Sequence, residues 1–121
     1  MAKTILVAED SEMNRRLLVE LLGHYGYEVL EAVNGVQALL LVRSQPIDLI
    51  LMDMQMPIMS GYEAVQALRS DEKTAGIKII AITSFALTEE RERILATGVN
   101  AFIAKPIDTR ELPAIVQRMI G

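Results

Sequence analysis

Short apolar runs alternate along this chain with segments whose apolar residues recur every three or four positions. The runs have the length and composition of buried β-strands, and the segments between them have the periodicity of amphipathic helices. The predicted strands are Thr4–Ala8, Glu28–Ala32, Leu49–Met52, Ile77–Ile82 and Ala101–Ala104. The predicted helices are Glu12–His24, Val36–Arg43, Tyr62–Arg69, Thr88–Ala96 and a last helix that begins at Asp108 or Thr109.

The helix boundaries rest on polar residues that can accept backbone hydrogen bonds. Ser11 is the expected N-cap of the first helix, and Thr88 is the expected cap of the fourth. In the last helix, Leu112, Ile115, Val116 and Met119 fall on one apolar face. The second strand, Glu28–Ala32, is more polar than the others, which predicts an edge position in the sheet.

Strands that are apolar throughout are typical of a parallel sheet covered by helices on both faces. Right-handed crossovers then place the carboxyl ends of all strands at one rim, where α/β sheets form their sites. The 121 residues, 51% of them hydrophobic, suit one α/β domain spanning residues 1–121.

Composition excludes several classes of protein. The absence of cysteine excludes disulfides and thiolate metal sites. A net charge of −4 without a Lys/Arg-rich stripe argues against direct nucleic-acid binding. No apolar run approaches the length of a membrane helix, and the first residues lack the pattern of a signal peptide. We therefore expect a cytoplasmic protein with no membrane contact.

Acidic, hydroxyl and lysine side chains follow the predicted strands and are expected to lie together at the rim. They are Glu9 and Asp10 after the first strand, Asp53 after the third, Thr83 and Ser84 after the fourth, and Lys105 and Pro106 after the fifth. Three neighbouring carboxylates repel one another unless a cation lies between them, and oxygen ligands favour Mg²⁺ or Mn²⁺. A metal beside a lysine and a hydroxyl suits a phosphoryl group, and a carboxylate can accept one.

These residues lie in motifs that resemble the receiver domain of two-component response regulators over essentially the whole chain. The motifs are VAEDSEMNR, LILMDMQMPIMSG around Asp53, IAITSFA around Thr83 and FIAKPID around Lys105. The resemblance implies a flavodoxin-like, doubly wound (βα)5 fold with a five-stranded parallel sheet in the order 2-1-3-4-5.

The resemblance also implies a function for the acidic residues. Asp53 would accept a phosphoryl group from a histidine kinase or a histidine phosphotransfer protein. Glu9, Asp10, Asp53 and the backbone carbonyl of Gln55 would bind Mg²⁺, for which Mn²⁺ can substitute.

Four further positions carry roles in the family. Thr83 and Lys105 would contact the phosphoryl oxygens, and the peptide bond before Pro106 would be cis. Phosphorylation would draw Thr83 inward and let Phe102 turn in behind it. The face of the fourth helix, fifth strand and fifth helix would then bind a downstream protein, and a phosphorylation-dependent dimer stays open.

The chain departs from the commonest receiver pattern at a few positions. Phe102 stands where tyrosine is frequent, and Ser84 stands where alanine is frequent. Gln55 and Phe85 occupy the two positions that tune phosphoryl lifetime in the family, and neither is a good general base.

Three other functions compete with a signalling switch that is not an enzyme. A phosphatase with an aspartate nucleophile would carry a second aspartate two residues later, where this chain has Gln55. A nucleotide or flavin binder would carry a glycine-rich phosphate loop, and neither common form is present. A degenerate receiver would lack part of the acidic set or Lys105.

Overall fold

Each strand of the sheet is parallel to its neighbours, because each is followed by a helix that crosses back over one face. The computed structural model describes residues 2–84 and 87–121. The strands are β1 Thr4–Ala8, β2 Glu28–Ala32, β3 Leu49–Asp53, β4 Lys78–Thr83 and β5 Ala101–Ala104. The helices are α1 Glu12–His24, α2 Gly35–Ser44, α3 Gly61–Ser70, α4 Thr88–Ala96 and α5 Glu111–Ile120. The strand order is 2-1-3-4-5, as expected, with the polar strand β2 at an edge.

Successive residues of the central strands point to opposite faces of the sheet, and each face carries its own apolar layer. In β3, Ile50 and Met52 pack with residues of α2, α3 and α4, whereas Leu49 and Leu51 pack with residues of α1 and α5. All five residues of β3 are buried. The strand that carries Asp53 therefore runs through the centre of the protein and opens to solvent only at its carboxyl end.

Three helices begin with side-chain caps. The side chain of Ser11 accepts a hydrogen bond from the backbone of Asn14, which confirms the expected cap of α1. Asn34 caps α2 in the same way, and Ser60 forms a capping box with Glu63 at the start of α3. These caps fix the helix starts that follow β1, β2 and β3, next to the rim.

The bounds expected for α4 are confirmed, but its expected cap and the expected start of the last helix are wrong. The N-cap of α4 is Leu87, which makes no side-chain cap, and Thr88 is already the first helical residue. The last helix begins at Glu111. The carboxylate of Asp108 accepts hydrogen bonds from the backbone N–H groups of Arg110 and Glu111, so that a turn precedes the helix. These bonds lower the pKa of Asp108. None of the helices in the described ranges is long and apolar enough to cross a membrane.

Arg69 joins loops at the end of the sheet opposite Asp53. Its guanidinium donates to the backbone carbonyls of Gly98, Ala75 and Ile77 at 3.0, 2.9 and 2.6 Å, and to the side-chain oxygen of Asn100 at 3.1 Å. Burial lowers its pKa. One half-buried cation thus satisfies carbonyls that follow the carboxyl end of α4 and carbonyls that precede β4.

We expect Arg69→Met to lower the free energy of unfolding by about 2–4 kcal/mol, because it leaves several carbonyl groups without a donor. Arg118→Met, at an exposed position of α5, is the matched control and should change stability by less than about 0.5 kcal/mol. Urea unfolding followed by circular dichroism measures both. Equal losses in the two variants would contradict a special role of Arg69.

Candidate functional site

The register of the sheet brings the predicted rim residues together. Ala8 pairs with Met52, so that Glu9 follows β1 beside Asp53 at the end of β3. Thr83 pairs with Ala104, and the backbone carbonyl of Thr83 accepts a hydrogen bond from the backbone N–H of Lys105 at 2.8 Å. The backbone of three adjacent strand ends and of β5 therefore places the acids, the hydroxyl and the lysine in one crevice.

The polar side chains of this crevice are buried to very different degrees. Glu9, Asp53 and Thr83 are almost fully buried, with exposed fractions of 0%, 1% and 0%. Asp10, by contrast, is exposed at the mouth. Charged residues are seldom buried unless a partner or a metal compensates them, so the burial of Glu9 and Asp53 requires an explanation in the site itself.

Lys105 provides part of that explanation. Its Nζ lies 3.0 Å from Oε1 of Glu9 and 3.0 Å from Oδ2 of Asp53. The other oxygen of Asp53, Oδ1, accepts a hydrogen bond from the backbone N–H of Gln55 at 3.0 Å. Both oxygens of Asp53 are therefore held in place, by a cation on one side and by the following loop on the other.

The charges in the crevice shift one another's protonation. Burial is the main cause that raises the pKa of Glu9, and Asp53 raises it further, while Lys105 opposes both. Burial acts to lower the pKa of Lys105, but hydrogen bonds and charges from Glu9 and Asp53 outweigh it, and the pKa is raised. Lys105 therefore stays protonated, but its positive charge does not balance the negative charges of the carboxylates.

The acidic residues fit a divalent cation. Ligand oxygens of Glu9, Asp10 and Asp53 lie within 4.8 Å of one another. Oε2 of Glu9 is buried and makes no hydrogen bond within the described part of the chain. Three carboxylates face a single ammonium, and an all-oxygen set of this kind favours Mg²⁺ over softer metals.

Gly61 is a site residue whose role the sequence indicates only in part. A Cβ at this position would lie 2.4 Å from the backbone oxygen of Asp53 and 2.6 Å from Cα of Met54. Since both atoms belong to the backbone, neither can move aside cheaply. The first turn of α3 therefore packs directly on the residue that follows β3. The residue type alone does not indicate that Gly61 contacts Asp53.

The remaining predicted residues lie around this centre. Phe102 is half-buried on β5, with the guanidinium of Arg91 at 5.7 Å from its ring centroid. The peptide bond between Lys105 and Pro106 is cis. The amide atoms of the Gln55 side chain are buried and make no hydrogen bond within residues 2–84 and 87–121. Phe85 lies outside the described residues.

The arrangement matches a known family. Residues 5–117 match the model of the response regulator receiver domain. The chain belongs to the response regulator receiver domain family. Receiver domains accept phosphoryl groups in two-component signalling and act as switches, and they interact in general with histidine kinases or phosphotransfer proteins and with downstream targets.

Relatives of known name support the assignment. The polar-differentiation response regulator DivK of Brucella anthropi is 38% identical over all of this chain and 98% of its own length. The receiver domain of the sensor histidine kinase PA1611 of Pseudomonas aeruginosa is 37% identical, with a TM-score of 0.92 and coverage of 100% and 99%. That structure has a magnesium ion coordinated in its active-site cleft. The chemotaxis response regulator CheY4 of Vibrio cholerae is 28% identical, with a TM-score of 0.92 and coverage of 98% and 99%.

We expect the contribution of Glu9 to the stability of the metal-free receiver domain to fall as the pH rises above the ordinary Glu9 pKa of 4.5. Glu9 has a higher pKa in the folded state than in the unfolded chain, so the folded state binds the proton more tightly. The stabilisation that this tighter binding provides is lost as the pH rises through the folded-state pKa. In Glu9→Gln this contribution disappears, and the free energy of unfolding should depend less steeply on pH.

Urea unfolding in EDTA between about pH 5 and pH 7 measures the difference. Glu89→Gln, at an exposed position of α4, serves as the control and should keep the steeper dependence. The contribution of Asp108 is common to all three proteins and cancels. If the free energy of unfolding changed with pH by the same slope in Glu9→Gln and in the unaltered chain, the pKa of Glu9 would not differ between the folded and unfolded states.

Proposed function

We propose that Asp53 is the phosphoryl acceptor of this receiver domain. The observation that carries the proposal is a buried carboxylate at the open end of the central strand, 3.0 Å from the ammonium of Lys105 and within reach of two further carboxylates. Glu9 is buried in the same crevice, and Asp10 is exposed. Asp53 is the carboxylate whose two oxygens are both oriented, one by Lys105 and the other by the backbone N–H of Gln55.

The transfer is a displacement at phosphorus. An oxygen of Asp53 attacks the phosphoryl group of a phosphohistidine, the bond between phosphorus and the imidazole nitrogen breaks, and the nitrogen keeps the electron pair. The product is an acyl phosphate on Asp53 and a free imidazole. Lys105 exchanges its contact with the Asp53 carboxylate for one with a phosphoryl oxygen, and the hydroxyl of Thr83 donates to another.

Glu9, Asp10, Asp53 and the backbone carbonyl of Gln55 are the proposed ligands of Mg²⁺ or Mn²⁺. When bound, the metal neutralises negative charge on the phosphoryl oxygens. The buried Oε2 of Glu9, which makes no hydrogen bond within the described residues, supports this assignment. The likeness to a receiver domain with magnesium in its cleft supports it independently.

The position of Gln55 favours a stored phosphoryl group over rapid turnover. An amide cannot act as a general acid or base, and this side chain stands where an aspartate-dependent phosphatase would carry its second aspartate. Its buried amide has no hydrogen-bond partner in the described residues, so its N–H groups are available to a phosphoryl oxygen. We assign to Gln55, together with Phe85, the tuning of phosphoryl lifetime.

The output surface proposed for the phosphorylated state comprises α4, β5 and α5. Within the described residues, α4 contributes one buried side chain, Ile94. The remaining contacts of α4 include Arg91 over Phe102, and Arg93 with its guanidinium 4.0 Å from the ring centroid of Tyr62. The hydroxyl of Tyr62 also donates to the carboxylate of Glu90. A helix held by one buried apolar residue and these few polar and cation–π contacts can shift when Thr83 and Phe102 move. A downstream protein, or a second receiver in a dimer, would bind this surface.

Incubation with acetyl phosphate and Mg²⁺ should add one phosphoryl group to the chain and none to Asp53→Asn. Intact-mass measurement detects the adduct, and peptide mapping after borohydride reduction locates it. Asp48→Asn, outside the crevice, is the matched control and should be phosphorylated like the unaltered chain. An adduct on Asp53→Asn, or none on the unaltered chain at any Mg²⁺ concentration, would refute the assignment.

Mg²⁺ should raise the midpoint of thermal unfolding, because a ligand that binds only the folded state stabilises it by about RT ln(1 + [L]/Kd). Asp10→Asn removes one proposed ligand and should abolish most of the shift. Glu12→Gln, two residues further along and also exposed, removes the same charge outside the ligand set and should preserve it. Equal Mg²⁺-dependent shifts in these two variants, measured by differential scanning fluorimetry, would argue against the proposed ligands.

A further inference from the structure

Arg15, in the first turn of α1, folds its side chain back onto the loop that carries Glu9 and Asp10, the direction in which helical side chains lean. Its Nη1 donates to the backbone carbonyl of Glu9 at 3.0 Å and makes a longer contact of 3.5 Å with the carbonyl of Asp10. Its Nε donates to Oε1 of Glu31, on the edge strand β2, at 3.0 Å. One guanidinium therefore joins the backbone of two proposed metal ligands to the neighbouring strand.

The charge of Arg15 is poorly placed for two reasons. A positive charge near the start of a helix opposes the helix dipole, and it also repels a cation held by the neighbouring acids. The ion pair with Glu31 gives little stability in return, because the glutamate side chain is 49% exposed. The Arg15 side chain itself is only 16% exposed, so its contacts with the protein matter more than its contacts with water. What favours arginine at this position is its set of hydrogen bonds to the loop.

These hydrogen bonds complete the support of the Glu9 backbone. The N–H of Glu9 donates to the carbonyl of Ala32 in β2 at 3.0 Å, and the carbonyl of Glu9 accepts from Arg15. Both polar backbone groups of Glu9 are thus held, one by the strand and the other by the arginine. Asp10 depends on the same support, since its side chain is exposed and packing does little to orient it.

We propose that Arg15, oriented by Glu31, is a positioning residue that sets the affinity of the crevice for Mg²⁺. The inference rests on the proposed ligand set of Glu9, Asp10 and Asp53. Mg²⁺ demands near-ideal octahedral geometry, and ligands that are already in place lose less conformational freedom when they bind. By fixing the loop between β1 and α1, Arg15 keeps two of the three carboxylates in place before the metal arrives.

Arg15 acts on the proposed metal site in two ways that have opposite signs. Its charge repels a divalent cation, whereas its hydrogen bonds hold the ligands. The carboxylate of Glu31 offsets the charge and leaves the hydrogen bonds to the loop intact. Groups that orient metal ligands through hydrogen bonds typically change metal affinity about 10–100-fold. We therefore expect positioning to outweigh repulsion.

The test measures the Kd of Mg²⁺ by isothermal titration calorimetry. Arg15→Met removes the hydrogen bonds and should raise the Kd at least about tenfold. Loss of the positive charge alone would lower the Kd, so the direction of the change separates the two effects. Arg16→Met is the matched control, because it removes the same charge from an exposed position of α1. It should change the Kd by less than about twofold.

The dependence of phosphorylation on Mg²⁺ gives a second measurement. With acetyl phosphate as the donor, the half-saturating Mg²⁺ concentration should rise in Arg15→Met by the same factor as the Kd. The rate at saturating Mg²⁺ should stay within about twofold of the unaltered chain. Within the described residues, the side-chain hydrogen bonds of Arg15 go to Glu9, Asp10 and Glu31 and not to the acceptor Asp53. A lower saturating rate with an unchanged half-saturating concentration would contradict the proposal.

Glu31→Gln tests the other end of the bridge. If Glu31 acts by orienting Arg15, this substitution should raise the Kd several-fold in the unaltered chain and much less in Arg15→Met. Equal factors in the two backgrounds would show that Glu31 acts on the metal only through its charge. That result would overturn its orienting role.

Arg15→Lys keeps the charge and provides a second variant should Arg15→Met fold poorly. An ammonium lacks the planar fork that contacts Glu31 and the Glu9 carbonyl at once, so the Kd should rise here too. Circular dichroism in EDTA checks that each variant is folded. An unchanged or lower Kd in both folded variants would overturn the proposal, and a lower unfolding midpoint with an unchanged Kd would assign Arg15 to the fold alone. Failure of the proposed function would look different, because the unaltered chain itself would then bind no Mg²⁺.

Discussion

The position of Lys105 between two buried carboxylates is the interaction on which the rest of the site depends. Its ammonium lies 3.0 Å from both Glu9 and Asp53, and without it these acids would face each other in an apolar interior. A buried ion pair of this kind contributes little net stability, since desolvation offsets the attraction. The ion pair fixes the position of the Asp53 carboxylate at the crevice. The ammonium of Lys105 does not balance the charges of Glu9, Asp10 and Asp53, which leaves room for a further cation.

The general plan of the fold could be predicted from the sequence because burial on both faces leaves an unmistakable apolar pattern in strands such as β3. The ends of helices could not be predicted as well. At α4 the helix begins without a side-chain cap, so the pattern offers Thr88 as a false signal. At α5 the Asp108 carboxylate binds the backbone of Arg110 and Glu111 in a preceding turn. Both outcomes depend on local backbone geometry, which residue types indicate only weakly.

The members of the crevice were predictable for a different reason, namely that topology alone places the residues after parallel strands at one rim. The individual contacts and backbone conformations at the rim depend on how the helices and loops pack in three dimensions. The contact of Gly61 with the Asp53 backbone depends on how α3 approaches β3. The left-handed backbone of Ile58 contradicts the preference of its residue type. Conflicts of this kind between local preference and the fold cluster at functional sites, and Ile58 lies in the loop that follows Asp53.

The proposed output surface begins at the edge of the crevice itself. It is built on β5 and the helices beside it, and the backbones of Thr83 and Lys105 are joined by a hydrogen bond of 2.8 Å at the carboxyl ends of β4 and β5. A phosphoryl group that draws Thr83 and Lys105 inward, as proposed, would therefore act directly on the strand ends that carry this surface. The donor could then dissociate without erasing the change, since the proposed covalent bond to Asp53 would maintain it.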